Sequence, residues 1–151
     1  MNESQACAGA RRMFQMEPFM DYLGAELTQV MPGRAEIRVP YRRELTQHDG
    51  YFHGGVVATL ADMAGGCAAY TRVPPGFGGL TVDIKVSLLA PGVGAALVAR
   101  GEVMRAGRRL IVCRSDVFAV REGQETHCAT ALMTLMVAET PSAKASAGHS
   151  P

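Results

Sequence analysis

One stretch of the sequence, residues 54–71, is apolar along nearly its whole length and reads GGVVATLADMAGGCAAYT. It is too long for a single strand and rich in Ala and Leu, so it predicts an α-helix. A helix that is apolar on almost every side belongs in the interior of a protein. The rest of the 151-residue chain, about one domain in length, is therefore expected to surround this helix.

Most of the remaining chain alternates with the period of two that is typical of half-buried β-strands. In the clearest case, Leu80–Leu88, apolar residues at even positions alternate with polar residues at odd positions, which predicts one apolar and one polar face. Six strands are predicted: Ala25–Met31, Ala35–Val39, Leu80–Leu88, Ala95–Met104, Arg109–Val120 and Thr126–Val137.

Short connections such as Pro32-Gly33, Arg105–Arg108 and Glu122–Gln124 permit only antiparallel neighbours. We therefore predict an α+β fold, in which an antiparallel sheet of about six strands wraps around one long central helix. The helix falls between the second and third strands. A shorter helix is also predicted near Phe14–Leu23.

The two ends of the chain differ from this core. Residues 1–12 show no periodicity and residues 139–151 are rich in Ser, Ala and Pro, so both are expected to be flexible tails around one domain at 13–138. The first residues lack the apolar core of a secretory signal, and no run of about 18 apolar residues suggests a membrane span. We expect a cytoplasmic protein.

Composition argues against several classes of partner and site. The 15 basic and 14 acidic residues leave a net charge of +1, so neither nucleic acid nor a membrane is an expected partner. The four cysteines are far apart in sequence, which leaves no CxxC pair for a metal or redox centre. They are expected to be buried, reduced thiols that act as small hydrophobic side chains.

Gly65 and Gly66 interrupt the apolar helix, where each glycine destabilises it by about 1 kcal/mol relative to Ala. The pair could produce a kink. Alternatively, the two small residues allow a close approach to the sheet or to a ligand, which is the interpretation we favour.

Asp62 is the only charged residue between His53 and Arg72. An unpaired carboxylate costs several kcal/mol to bury, so Asp62 either faces solvent or has a function. Thr59 and Gly66 lie three residues before and four after it, on the same helix face. Such a polar surface of small residues would be suited to line a cleft.

His53-Gly54-Gly55 stands where the helix is predicted to begin. The first N–H groups of a helix have no partner inside it, and they can polarise a carbonyl or hold an oxyanion. A glycine-rich transition into a helix with no ligand explains the same three residues. His53 could orient a substrate or hold Gln47 and the turn in place, and no second His cluster suggests a metal site.

Asp62 follows Gly54 by eight residues, about 12 Å of helix rise. A substrate laid along this end of the helix could meet an N–H at its carbonyl and a water held by the carboxylate. That chemistry suits hydrolysis of an activated acyl group, with Asp62 as general base or nucleophile.

Three segments together resemble the PaaI-type acyl-CoA thioesterases of the hotdog fold. They are LTQHDGYFHGG at residues 45–55 with ATLAD at 58–62, TVDIKV at 81–86, and LAP at 89–91. The resemblance covers about Phe14–Val137. It implies that coenzyme A is part of the substrate, that no metal or redox cofactor is needed, and that the site lies between the subunits of a homodimer or a dimer-of-dimers tetramer.

The resemblance also implies roles for single residues. The backbone N–H of Gly54 would hold the thioester oxygen, Gly55 would contact the substrate, and Asp62 would activate water or attack the carbonyl. Gln47 and His53 match motif positions near the thioester. Thr81, supplied by the other subunit, matches a residue that positions the water. Ser87 stands where Asn is frequent and Gln47 is less usual than Asn, which leaves the substrate preference open.

The phosphates of coenzyme A favour basic residues near the mouth of the site. Arg105, Arg108 and Arg109 cluster around one predicted turn, and they could contact phosphate or simply form a charged hairpin tip. Thr59 is a further candidate contact to the substrate.

Two rival functions fit the same fold. A non-catalytic acyl-CoA-binding protein would have no need of a carboxylate beside the thioester, which is why Asp62 favours the enzyme. A hotdog dehydratase or hydratase would need a different His-containing motif, which the sequence lacks.

Overall fold

A computed structural model describes residues 3–140 of the chain. Its elements in chain order are α1 (Glu3–Gln15), α2 (Pro18–Leu23), β1 (Glu26–Met31), β2 (Arg34–Pro40), a single 3-10 turn (Arg43–Leu45), α3 (Gly54–Tyr70), β3 (Phe77–Leu88), β4 (Ala96–Ala106), β5 (Leu110–Arg121) and β6 (Gln124–Glu139). Within residues 3–140, no helix is both long enough and apolar enough to cross a bilayer.

The six strands form one antiparallel sheet in the order β1-β2-β4-β5-β6-β3, and α3 packs against all six of them. The predicted α+β arrangement, with a long helix inserted between the second and third strands, is confirmed. Because β6 pairs with both β5 and β3, the strand that follows α3 returns to the far edge of the sheet. This edge position of β3 matters for the site.

The close approach between helix and sheet explains Gly65. A Cβ atom at Gly65 would lie 2.2 Å from the Met133 sulfur, and one at Gly101 on β4 would lie 2.2 Å from the Ala64 carbonyl oxygen. The helix is continuous from Gly54 to Tyr70, and at Gly65 the structure shows the close approach to the sheet that the sequence analysis favours. Gly65 is present because a side chain there would collide with the sheet.

The prediction for β3 needs a correction. Its register on β6 shifts between Thr81 and Asp83, a β-bulge that exchanges the two faces of the strand at that point. Thr81 therefore shares the helix-facing side with Ile84, whereas strict alternation would have put them on opposite faces. No residue of β3 is fully buried. Phe77 and Val86 are half-buried against the core, whereas Leu80, Val82 and Leu88 are more than half exposed within residues 3–140.

The prediction of an N-terminal tail at residues 1–12 is also corrected, because Glu3–Gln15 forms a helix. Ala6, Ala10 and Phe14 recur every four residues and are buried, but small alanines gave the pattern too little apolar contrast to stand out. The predicted helix at Phe14–Leu23 is really two helices that meet at Pro18. Of the predicted tail at 139–151, Glu139 ends β6 and residues 141–151 lie outside the described part.

Three of the four cysteines behave as predicted. Cys67, Cys113 and Cys128 are reduced and buried, and Cys7 is half-buried. Burial raises the pKa of the Cys67 and Cys113 thiols to about 12. These thiols stay neutral and unreactive near neutral pH.

Candidate active site

The first turn of α3 leaves one backbone N–H free. His53 is the N-cap, and its Nδ1 accepts a hydrogen bond of 2.9 Å from the Gly55 N–H. The Gly54 N–H has no acceptor among residues 3–140. His53 thus stabilises the start of the helix by capping the Gly55 amide. The Gly54 amide remains available to a ligand.

An open cleft of about 500 Å³ borders the same helix start. Gly54 and Gln47 line it, and a Cβ atom at Gly54 would lie 3.0 Å from Leu88 Cδ1, so glycine keeps this wall open. The remaining walls are mainly apolar side chains and the chain that follows β3: Tyr51, Phe52, Val57, Leu88, Leu89, Ala90, Pro91 and Gly92.

The Gln47 side chain is occupied in its own loop. Its Oε1 accepts a hydrogen bond from the Asp49 N–H, and its Nε2 donates to Asp49 Oδ2 at 3.5 Å. The Gln47 backbone N–H donates to the Tyr51 carbonyl at 2.9 Å. Gln47 therefore shapes one wall of the cleft by holding the loop that precedes His53.

Asp62 is half-buried on the side of α3 that faces β3. Thr81 Oγ1 donates a hydrogen bond of 2.8 Å to Asp62 Oδ1, and the bulge after Thr81 is what turns this hydroxyl toward the helix. Thr81 thus pairs with the carboxylate of its own chain, and its place in a site shared between subunits stays a prediction. Asp62 Oδ2 has no partner within residues 3–140.

One chain presents two separate half-sites. We call Gln47, His53 and Gly54 the helix-tip half-site, and Asp62 with Thr81 the carboxylate half-site. Asp62 does not line the cleft at the helix tip, and the eight residues from Gly54 to Asp62 span about 12 Å. A single chain thus has the amide and the carboxylate at separate places on α3, and their joint action on one acyl carbon stays a prediction.

The remaining predicted residues do not line the cleft at the helix tip. Thr59 Oγ1 donates to the Gly55 carbonyl at 2.9 Å, which ties it to its own helix. Arg105, Arg108 and Arg109 surround the β4–β5 turn, and in the part of the chain that the structure describes their side chains form no ion pair.

The sheet register places this arginine turn at one end of β3. Leu110 lies opposite Met136, which lies opposite Leu80, so the turn is at the Thr81 end of the strand. The helix tip is at the Leu88 end, eight residues or about 26 Å away. Within one chain the arginines therefore accompany the carboxylate half-site.

Sequence reasoning missed the cleft walls formed by Tyr51, Phe52 and residues 88–92. The available signal was the apolar run Leu88-Leu89-Ala90-Pro91, which continues past the end of the alternating strand. An isolated bridge between Phe52 and Gly92 connects the two wall segments. Among the described residues, no three His, Cys, Asp or Glu side chains gather as a metal site would require.

Comparison with known proteins places this geometry in a family. The model of the thioesterase superfamily matches residues 49–126, which include Gly54, Asp62 and Thr81. A thioesterase family protein of Silicibacter pomeroyi is 38% identical and superposes with a TM-score of 0.87, over 89% of this chain and 99% of that one.

Two more distant structures share the fold. A thioesterase of Haemophilus influenzae is 24% identical, with a TM-score of 0.74 over 85% of this chain and 87% of that one. The E. coli PaaI protein from the phenylacetic acid degradation operon is 21% identical, with a TM-score of 0.78 over 91% and 97% of the two chains. The fold, the match over residues 49–126 and the Silicibacter likeness lead to one conclusion: this chain belongs to the thioesterase superfamily and has its hotdog fold.

Proposed function

We propose that the protein hydrolyses the thioester of an acyl- or aryl-acyl-CoA to the free acid and coenzyme A. The observation that carries the proposal is the unpaired Gly54 N–H at the start of a 17-residue helix, in the wall of an apolar cleft. An amide at the positive end of a helix stabilises the oxyanion that forms when a thioester carbonyl is attacked.

Asp62 supplies the other half of the chemistry. Its free Oδ2 either removes a proton from the attacking water or attacks the carbonyl itself. In the first route the tetrahedral intermediate expels the coenzyme A thiolate, which takes up the proton held by Asp62. In the second route the thiolate leaves with a proton from solvent, and water then hydrolyses the acyl–Asp62 anhydride, which releases the acid and restores the carboxylate. Thr81 holds Oδ1 and so fixes the plane of the carboxylate. Water is the only co-reactant, and the proposal includes no metal or redox cofactor.

The separation of the half-sites requires two copies of the chain. An acyl carbon must lie within a few ångströms of both the amide and the carboxylate, which are about 12 Å apart along α3. A homodimer with a two-fold axis solves this problem, because the helix tip of each copy can meet the carboxylate of the other.

The edge strand β3 is the surface that supports such a dimer. It is 12 residues long, it pairs with β6 on one side only, and it contains no proline. Leu80 and Val82 are 60% and 54% exposed. Long apolar edges are seldom left bare, because their free N–H and C=O groups pair readily with another chain.

Antiparallel pairing of β3 with its copy would join the right half-sites. With the two-fold axis near Ile84 and Lys85, Thr81 would lie opposite Leu88 of the second copy. Leu88 borders Gly54, so the carboxylate half-site of one chain would approach the helix-tip half-site of the other. A pair of such dimers would form the tetramer that the resemblance implies.

The same pairing would bring the arginine turn toward the other copy's cleft. Arg105, Arg108 and Arg109 lack acidic partners among residues 3–140, whereas Arg34, Arg100 and Arg114 are all ion-paired. Free guanidinium groups are suited to bind the phosphates of coenzyme A. We include Arg105, Arg108 and Arg109 in the proposal as contacts to the coenzyme.

Thiol release from a panel of acyl-CoA esters tests the proposal directly, with Asp62→Asn as the decisive variant. We expect the wild type to hydrolyse at least one ester and the variant to lose about 10²- to 10⁴-fold in kcat. Asp83→Asn is the matched control, because Asp83 lies in β3 on the other face from Thr81. The three buried thiols of the protein should not react with the assay reagent.

The outcomes separate the enzyme from the binding protein. A wild type that binds an acyl-CoA without cleaving it would favour the non-catalytic alternative. Wild-type turnover in Asp62→Asn would remove the carboxylate from the mechanism.

A further inference from the structure

The N-cap of α3 is a side chain that can take up a proton. His53 Nδ1 accepts the Gly55 N–H at 2.9 Å, which requires a free lone pair on Nδ1 and therefore no proton there. The usual N-cap residues, Ser, Thr, Asp and Asn, offer an oxygen that remains an acceptor through the neutral pH range. An imidazole instead gains a proton between about pH 8 and 5. Mild acid can therefore remove the cap of α3.

The ring of His53 lies against Gly55. A Cβ atom at Gly55 would lie 3.0 Å from Nδ1 and 3.4 Å from Cε1, so glycine gives the ring room to reach the amide. The Val56 and Val57 N–H groups both donate to the His53 carbonyl, at 2.9 and 3.2 Å. Within residues 3–140, the imidazole is thus the only side chain that accepts a hydrogen bond from the first turn of α3.

Several titratable or charged side chains lie on the segments around His53. They are Arg43, Glu44, His48, Asp49, Tyr51, Asp62 and Lys85. His48 and Asp49 pair with each other, Nε2 to Oδ2, at 3.3 Å, and Asp62 accepts from Thr81. In the part of the chain that the structure describes, the His53 imidazole forms no hydrogen bond or ion pair with any of them. No carboxylate therefore holds the protonated ring in its place.

Protonation of His53 would disturb the amide that is proposed to bind the oxyanion. It replaces the Nδ1 acceptor by an N–H donor, which cannot bind the Gly55 N–H. It also adds a positive charge at the positive end of α3. Gly54 lies between the two partners of the broken bond, and as a glycine it has wide backbone freedom. The Gly54 N–H would therefore lose its fixed position.

We propose that His53 is a positioning residue, whose neutral imidazole holds the Gly54 amide in place and whose protonation lowers the activity as the pH falls. The inference rests on the proposed thioesterase function and adds a pH-dependent regulation of the same site. Its direction follows from the cap. The cap is complete above the pH range in which an imidazole takes up a proton, and it is lost below that range.

The pH profile of kcat in two variants tests this inference. Between about pH 7.5 and 5.5 the wild type should lose about tenfold in kcat, the factor to which an N-cap hydrogen bond corresponds. His53→Asn keeps an acceptor that does not titrate and should lose less than about threefold. His53→Ala lacks the cap at every pH, so it should be slow throughout and have the same shallow profile. Any loss from protonation of Asp62 is common to all three proteins, so differences among the profiles report on His53.

His48→Asn is the matched control, because His48 lies in the loop before His53 but pairs with Asp49 rather than with α3. It should keep the wild-type pH profile. A His53→Asn variant with the acid loss of the wild type would overturn the inference. So would a His48→Asn variant that lacks this loss.

Nuclear magnetic resonance gives a readout that does not depend on activity. In the wild type the Gly55 amide proton should shift together with the titration of the His53 ring, because the two share a hydrogen bond. In His53→Asn the Gly55 signal should stay constant over the same pH range. A wild-type Gly55 signal that does not follow the His53 ring would overturn the inference.

The two proposals fail in different ways. If the wild type cleaves acyl-CoA esters and its pH profile coincides with that of His53→Asn, only the inference about His53 is overturned. If the wild type cleaves none of the esters at any pH, the proposed function is overturned and the inference about His53 with it.

Discussion

The central strand β5 and the edge strand β3 are both 12 residues long, and both carry apolar residues at alternate positions, yet they have opposite surroundings. In β5 every second residue from Ile111 to Ala119 is buried under α3. In β3 no residue is buried, although its apolar side chains are just as large. The alternation of a strand indicates which residues share a face, but not what covers that face.

The neighbours of the two strands explain the difference. β5 has β4 and β6 on its two sides, whereas β3 has only β6. Within one copy of the chain, β5 is therefore paired on both sides, whereas one edge of β3 has no partner strand. The Asp62–Thr81 pair lies at this unpaired edge of β3. We therefore propose that a second copy of the chain supplies the rest of the site.

The largest effect on assembly and activity should come from a charge on the unpaired edge of β3. Ile84→Lys would place two ammonium groups near the proposed two-fold axis, where they repel each other and resist desolvation. We expect dissociation to monomers in sedimentation velocity and loss of at least about 100-fold in activity, with an unchanged far-UV circular dichroism spectrum.

Met16→Lys is the control for this variant, because Met16 is 79% exposed in the link between α1 and α2. It should change neither the oligomer nor the activity. A wild type that sediments as a monomer at micromolar concentration would contradict the role given to β3.

A smaller effect should distinguish β5 from β3. A valine shortened to alanine should lower the free energy of unfolding more in β5 than in β3. Val117→Ala in β5 removes a side chain that is 0% exposed, and it should lower the free energy of unfolding by about 2 kcal/mol. Val82→Ala in β3 should cost an isolated monomer less than about 0.5 kcal/mol, because Val82 is 54% exposed. Denaturant titration at a concentration low enough to populate monomers measures both values, and equal losses would refute the contrast.

The smallest expected effect concerns the bulge of β3. Thr81→Ala removes the hydrogen bond to Asp62 and should lower kcat by about tenfold with little change in KM. Thr81→Ser should restore most of the rate, because the hydroxyl returns. Thr134→Ala, on the outer face of β6, is the control, and a Thr81→Ala rate equal to that of the wild type would exclude a positioning role for Thr81.

The helix and the six strands were predictable from the sequence because long periodic segments bury one continuous surface. α3 begins at Gly54 as predicted, since the glycine pair after His53 marks the transition to the helix. The helix α1 was not predicted, because Ala6 and Ala10 bury little area each and contrast weakly with their neighbours.

The site was predictable as a set of residues but not as an arrangement. The charge of Asp62 and the glycines at the helix start are visible in the sequence. The bulge that turns Thr81 toward Asp62 of its own chain leaves no mark in an alternating strand, so this pairing could not be predicted. A Cβ atom at Gly65 would collide with Met133, whereas one at Gly66 would meet nothing within 4 Å. This difference between two adjacent glycines depends on how a distant strand packs against α3, which the sequence does not reveal.

Mixing two inactive variants tests the shared site most directly. Gly54→Pro removes the free N–H, and proline is tolerated at the first position of a helix, so the fold should survive. Asp62→Asn removes the carboxylate. Each variant alone should be nearly inactive, whereas co-refolding them in equal amounts should restore about a quarter of wild-type activity, since half the dimers are mixed and each has one intact site. A mixture no more active than the separate variants would contradict a site built from two chains.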